Sequence, residues 1–340
     1  MSDGLTVEKQ ALQFAESSAA SPNGEGRRSE RARIAAQDAL AFVDEDEPEY
    51  DWHVEGLLER GDRLIITGEE GQGKSTLLRQ MSVQCAAGIH PFTLEQIPPV
   101  RVLLVDLENS RRQVRRAVRP LLLSARRHLA PGMLQLAVLG RSLDLLGNKD
   151  DRDWLTSEVE RTRPELLALG PLYKLAEGDP REEVAARAVS NYLDDLRNDH
   201  ALTVLIESHV PYASGNTRTR PMRPYGASLW SRWPEFGIYL GTGPAWALTH
   251  WRGPRDERSW PVALQRGGAW PWTVATTPRQ ESFARVLAHV QAKGRIQSQR
   301  ELSRELGIAL TTLRNAIKVN QAQWDEITKN LAQDPEDDET

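Results

Sequence analysis

The chain has 340 residues, 39% hydrophobic and 27% charged, which suits one large folded domain with room for a smaller second one. Its one cysteine, Cys85, excludes an internal disulfide and reads as packing within the apolar stretch Met81-Ser-Val-Gln-Cys, as in a reducing cytoplasm. The net charge of -5 is uneven: Asp334, Glu336, Asp337, Asp338 and Glu339 lie in a terminal tail and another acidic cluster spans 44–51, so the body is near neutral and nucleic acid is not excluded as a partner.

No apolar stretch is long enough for a bilayer, and Met1–Gln10 lacks a signal-peptide core, so a soluble cytoplasmic protein is expected. Residues 1–48 read as a flexible arm, with a helix possible over Glu30–Phe42. From Trp52 onward short apolar runs alternate with amphipathic segments. Expected strands are Arg63–Gly68, Val100–Leu107, Leu134–Leu139, Leu166–Leu169, Thr203–Glu207 and Glu235–Gly241. Expected helices are Lys74–Ala87, Arg111–His128, Asp151–Arg163 and Glu182–Asp199. Strands alternating with helices require crossover connections, and so an α/β fold with a mostly parallel sheet covered on both faces. After Gly241, Ala245–Trp251, Trp260–Gln265 and Trp270–Ala275 read as antiparallel strands finishing that sheet. The domain plan is an arm (1–48), an α/β domain (49–276), a small helical domain (277–325) and an acidic disordered tail (326–340).

The strongest motif is Gly68-Glu69-Glu70-Gly71-Gln72-Gly73-Lys74-Ser75-Thr76, between the apolar run Leu64-Ile-Ile-Thr and a helix-prone segment. It fits G-x-x-x-x-G-K-[ST], the P-loop: glycines let the backbone wrap so that amide N–H groups point at phosphate oxygens, and the following helix presents its positive end. Lys74 is expected on the β- and γ-phosphates and the Ser75 hydroxyl on Mg2+. The next apolar run ends Val102-Leu-Leu-Val-Asp106-Leu-Glu108, and Asp106 and Glu108, two residues apart on an extended chain, share a face at the strand end where ligands of open α/β sheets bind.

A P-loop followed by an apolar strand ending in an acid resembles the RecA-like ATPases, within them the RepA-type plasmid helicases and the ATPase domain of bacterial replicative helicases. The resemblance covers about Trp52 to Ala275 and implies ATP as the nucleotide, a homo-oligomer (a hexamer is suspected) and single-stranded DNA in the ATPase channel. It implies that Glu108 activates water. It also implies a magnesium-shell aspartate ending the next core strand, before a proline; here that strand reads Leu166-Leu-Ala-Leu-Gly170-Pro171, with Gly170 at that place. Two readings follow: Asp106 takes over the role, or hydrolysis is slower than in the relatives. His209, ending Thr203-Val-Leu-Ile-Glu-Ser-His, looks like the family's γ-phosphate sensor, with a hydrogen-bonded structural histidine as the alternative.

Beyond it, the Gly- and Pro-punctuated segment from Pro211 to Gly226 carries Arg218, Arg220 and Arg223, which in the relatives would grip DNA phosphates; a plain surface loop is the alternative. Arg252 or Arg255, in the basic turn after Trp251, is a candidate for the trans-acting residue completing a neighbour's site, against a solvated hairpin tip. The tryptophans between Trp230 and Trp272 read as core packing or an edge cover.

Near the C-terminus, Ser298-Gln-Arg-Glu301 is a capping box, and Leu302, Ser303, Leu306, Gly307, Ile308 and Leu313 are spaced as a helix-turn-helix requires. The second helix would expose Thr311, Thr312, Arg314, Asn315 and Lys318 to phosphates and base edges, possible contacts to duplex DNA. Between Arg279 and Asn320 eight basic residues stand against three acidic ones, which favours DNA over a bare packing module. The whole reads as an ATP-dependent, helicase-like motor of phage- or plasmid-type DNA replication. Its rivals are a recombination or repair ATPase and an ATP-switched DNA-binding regulator.

Overall fold

The computed structural model describes residues 36, 38–45, 50–213, 220–241, 246–253, 258–275, 278–293, 295–321, 324–325 and 328–329. The chain divides into two compact units, Met1–Val274 and Ala275–Thr340.

In the first unit a short helix α1 (Ala39–Val43) is capped by the Asp38 carboxylate, which accepts from the Leu40 and Ala41 amides; 30–35 and 37, the rest of the helix expected over Glu30–Phe42, lie outside the described residues. The strands are β1 (Trp52–Val54), β2 (Leu58–Glu59), β3 (Arg63–Gly68), β4 (Val102–Asp106), β5 (Leu134–Val138), β6 (Leu166–Gly170), β7 (Thr203–His209), β8 (Phe236–Leu240), β9 (Trp246–Arg252), β10 (Ala263–Arg266) and β11 (Trp272–Val274). Helices α2 (Lys74–Ala86), α3 (Arg111–Ala125), α4 (Lys149–Thr162) and α5 (Glu183–His200) alternate with them. Nine strands form one sheet in the order β11-β10-β9-β8-β3-β7-β6-β4-β5. From β8 to β5 every pairing is parallel, and β9, β10 and β11 add on antiparallel, as the tight turns predict.

The central runs of the inner parallel strands are apolar because both faces are covered. Leu64, Ile66, Leu104 and Leu205 pack under Leu77, Met81 and Cys85 of α2. Ile65, Leu103, Leu167 and Val204 pack on the other face against Leu155 and Val159 of α4 and Val189 and Leu193 of α5. This doubly covered sheet aligns the C-terminal ends of β3, β7, β6 and β4 along one edge, and the functional site is built there. The short β1–β2 hairpin is absent from the sequence-based reading. Its His53 is tied to the start of β7: Thr203 Oγ1 donates to the Glu59 carbonyl (2.7 Å) and lies 2.9 Å from His53 Nδ1, which is therefore the donor to it.

The second unit holds α6 (Pro278–Lys293), α7 (Gln299–Leu306) and α8 (Leu310–Val319) around Phe283, Val286, Val290, Leu302, Leu313 and Ile317. The Ser298–Glu301 capping box forms as its spacing predicts, and α7 stops at Gly307, whose φ of 63° is the left-handed cap that lets the chain turn sharply into α8. No helix among the described residues is long and apolar enough to cross a membrane.

Burial, reinforced by the Arg60 cation, pushes the His53 imidazole down to about 4. Between the ordinary value of 6.5 and that one, the unfolded chain takes up a proton that the folded chain refuses, so stability is held above the upper limit and lost as pH falls. Urea unfolding at pH 7 and pH 5 is expected to show a loss of about 1–2 kcal/mol from this residue. His53→Gln flattens that part of the pH dependence; an unchanged slope contradicts the assignment.

Candidate nucleotide-binding site

The P-loop joins β3 to α2. Gly71 (φ 75°) and Gly73 (φ 96°) take the left-handed conformations the wrap needs. At Gly73 the approach of other atoms also forbids a side chain: a Cβ would lie 2.2 Å from Arg266 Nη2 and 2.9 Å from Trp272 Cζ2. These two residues, on β10 and β11, hold the loop from behind. Arg266 donates to the Gln72 carbonyl (2.8 Å) and stacks over the Trp272 ring (3.9 Å), while the Trp272 indole N–H donates to the Gly73 carbonyl (3.2 Å). Gln80 of α2 in turn donates to the Trp272 carbonyl and accepts from its amide. Sequence reading assigns Trp272 to core packing or an edge cover; it is buried, and it also fixes the loop. Only the glycine at 73 hints at a close neighbour, and nothing in the sequence says which.

Lys74 is buried, and its ammonium donates to the Glu69 carbonyl (2.8 Å) at the loop's start. Burial pushes it below the usual lysine range, against the pull of the Glu207, Glu70 and Glu108 carboxylates. His209, at the end of β7, sets Nδ1 3.4 Å from Lys74 Nζ and 3.8 Å from the Glu70 carboxylate. An ammonium only donates, so Nδ1 is the acceptor there; burial and then the Lys74 cation push the imidazole below its ordinary value and keep it neutral at pH 7. Glu108, just past β4, is exposed and accepts from the Tyr173 hydroxyl (3.3 Å), whose ring lies 5.9 Å from His209.

Beneath the loop, two contacts from α2 organise the acids. Ser75 Oγ donates to Glu207 Oε2 at 2.6 Å, and one helical turn later Arg79 Nη2 donates to Asp106 Oδ2 at 2.6 Å. Asp106 also accepts from the backbone amides of Glu108 (3.2 Å) and Asn109 (2.8 Å) and from Asn109 Nδ2. The sequence offers Asp106 as a catalytic or magnesium-shell acid in place of the one missing at Gly170; in the structure its carboxylate is occupied by Arg79 and by the turn after β4, and serves to hold them. Glu207, which sequence reading passes over as one polar residue of a strand end, is the acid at the Ser75 hydroxyl. Burial pushes the Glu207 carboxyl up, while Ser75, Arg79 and Lys74 pull it down. Among the described residues no cluster of three or more His, Cys, Asp or Glu side chains forms a protein cage for a metal. The residues fit nucleotide and Mg2+: a left-handed glycine wrap, a buried lysine, and a hydroxyl paired with a carboxylate.

The remaining expected contacts separate. Arg220 lies on the P-loop, 2.6 Å from Glu70 and 3.8 Å from Glu69, stacked on Tyr212, instead of extending into solvent. Arg223 is exposed. Arg252 falls within β9 and not in a turn, with Nη1 3.5 Å from the Ser231 carbonyl of its own chain. Arg218 and Arg255 lie outside the described residues. On α8, Thr311, Arg314, Asn315 and Lys318 are exposed and Thr312 is half-buried.

Removing Arg79 would leave the Asp106 carboxylate buried without its cation, since both side chains are about nine-tenths covered. Arg79→Ala is expected to cost about 3–5 kcal/mol in denaturant unfolding. A loss below about 1 kcal/mol, the range of exposed pairs, would contradict this account of Asp106.

An AAA domain family model, AAA_25, matches residues 28–215, more than half of the chain. No curated protein matches. Among solved structures, the KaiC-like protein of the hyperthermophilic archaeon Pyrococcus horikoshii is similar over 67% of this chain and 96% of its own, with a TM-score of 0.47 and 14% identity. With the P-loop, its buried lysine and the acid-paired serine in place, the chain belongs to the AAA_25 family and is a P-loop ATPase.

Proposed function

We propose that this ATPase is a DNA-acting motor, helicase-like, of the kind that serves phage- or plasmid-type DNA replication, working as a homo-oligomer. The observation that carries the reading is the Arg220–Glu70 pair. The segment after β7 folds back to the phosphate loop: the Tyr225 amide donates to the His209 carbonyl (2.8 Å), Thr67 Oγ1 donates to the Met222 carbonyl (2.5 Å), and Arg220 reaches Glu70 (2.6 Å). Glu70 in turn faces His209, which faces Lys74. A change at the γ-phosphate therefore has a short polar route to a segment rich in arginine, the side chain that grips nucleic-acid phosphates. In a motor, Glu108 acts as general base on the attacking water and Lys74 stabilises charge on the phosphates.

The helical unit supports DNA as the partner. Its last helix follows a sharp glycine turn and exposes Arg314, Asn315 and Lys318, side chains suited to phosphates and base edges, as the second helix of a helix-turn-helix does. The same helix favours a second reading, a DNA-binding regulator that uses ATP as a switch; sequence-specific duplex binding with negligible turnover distinguishes it.

The test is ATP hydrolysis by the full chain with and without single-stranded DNA. Lys74→Ala and Glu108→Gln are each expected to slow hydrolysis about 100-fold or more. Single-stranded DNA is expected to accelerate the unaltered chain, and Arg220→Ala to lower the ratio of stimulated to unstimulated rate. Hydrolysis indifferent to DNA contradicts the motor.

A further inference from the structure

The sheet register sets three positions side by side at its C-terminal edge. Asp106 pairs with Gly170 across β4 and β6, and Leu169 pairs with Ile206 across β6 and β7, which puts Gly170 beside Glu207. Glu207 pairs onward with Ile66 of β3, the strand that enters the P-loop. Registered neighbours in a parallel sheet project to one face. Here it is the face under α2, because Glu207 and Asp106 meet Ser75 and Arg79 of that helix.

The middle of the three has no side chain, and the space it leaves is used. A Cβ on Gly170 would lie 2.6 Å from Glu207 Cγ, and 3.3 Å from the Glu207 backbone nitrogen and oxygen. The glutamate chain thus runs through the volume that a side chain from β6 would need. Of the two flanking acids, Asp106 is saturated by Arg79 and the turn after β4, whereas Glu207 directs its carboxylate at the hydroxyl of the P-loop serine. In P-loop ATPases that hydroxyl is a magnesium ligand, so the acid that orders the ion's waters must lie within hydrogen-bond range of it. Glu207 satisfies this condition at 2.6 Å.

We propose that Glu207 is the magnesium-shell acid of this ATPase, supplied by β7 in place of a carboxylate on β6, and that Gly170 is the space through which it reaches. The inference rests on the reading of the P-loop as a nucleotide site. Neighbouring strands are about 4.8 Å apart, and the extra methylene of glutamate covers part of that displacement. One consequence is economy of coupling. Within three residues β7 carries the acid at Ser75 and the histidine at Lys74, and then runs into the segment that returns to Glu70.

The experiment is binding of a fluorescent, non-hydrolysable ATP analogue to the full chain, with Mg2+ and with EDTA, read as the ratio of the two affinities. In the unaltered chain Mg2+ is expected to tighten binding, and in Glu207→Gln the ratio is expected to fall about 10–100-fold, the cost of losing an outer partner of a bound ion. A Glu207→Gln ratio equal to that of the unaltered chain overturns the proposal. Failure of the unaltered chain to bind the analogue in either condition overturns the nucleotide reading beneath it, a different result from the first.

Discussion

Under the P-loop, two cations and two carboxylates are buried together: Lys74, Arg79, Asp106 and Glu207, each less than a tenth exposed. No pair of opposite charges is stable in such a place unless geometry and hydrogen bonds repay the loss of water. The arrangement meets that condition by division of labour along one ridge of α2, where Ser75 engages Glu207 and Arg79, one turn on, engages Asp106. The contacts tie the ends of β4 and β7 to the helix that starts at the phosphate loop. The buried Trp272 and its neighbour Arg266 hold the loop from the other side, through the Gly73 and Gln72 carbonyls. The phosphate cradle is thus clamped from two directions, as a site that relies on preorganised dipoles requires.

Much of this was legible because it is local. The P-loop, its flanking strand and helix, the alternation of elements and the capping box at Ser298 are all patterns within a few residues, and the structure contains them at nearly the expected limits. The acids were not legible for the opposite reason. The role of Asp106 is decided by Arg79, 27 residues away, and that of Glu207 by Ser75, 132 residues away. Gly170 reads in sequence as a missing acid; only the lateral register of three strands shows that a neighbour's side chain fills its space. The placement of Arg220 on Glu70 escaped for the same reason, a contact across 150 residues of chain. The β1–β2 hairpin, three residues paired with two, is too short to leave a period.

The consequence for function is a site whose parts report to one another. Neutral His209 stands between Lys74 and Glu70, and Glu70 is the residue that Arg220 holds. Strand β7 therefore touches the loop's hydroxyl, its lysine and its acidic shoulder at once. A network of this kind is costly when partly satisfied.

The most direct measurement is a crystal structure of the full chain with a non-hydrolysable ATP analogue and Mn2+ in place of Mg2+, the ion located by its anomalous signal. The account predicts the ion beside Ser75, with Glu207 joined to it through its water shell and the Arg79–Asp106 pair intact. An ion served by Asp106, with that pair broken and Glu207 turned away, would contradict it.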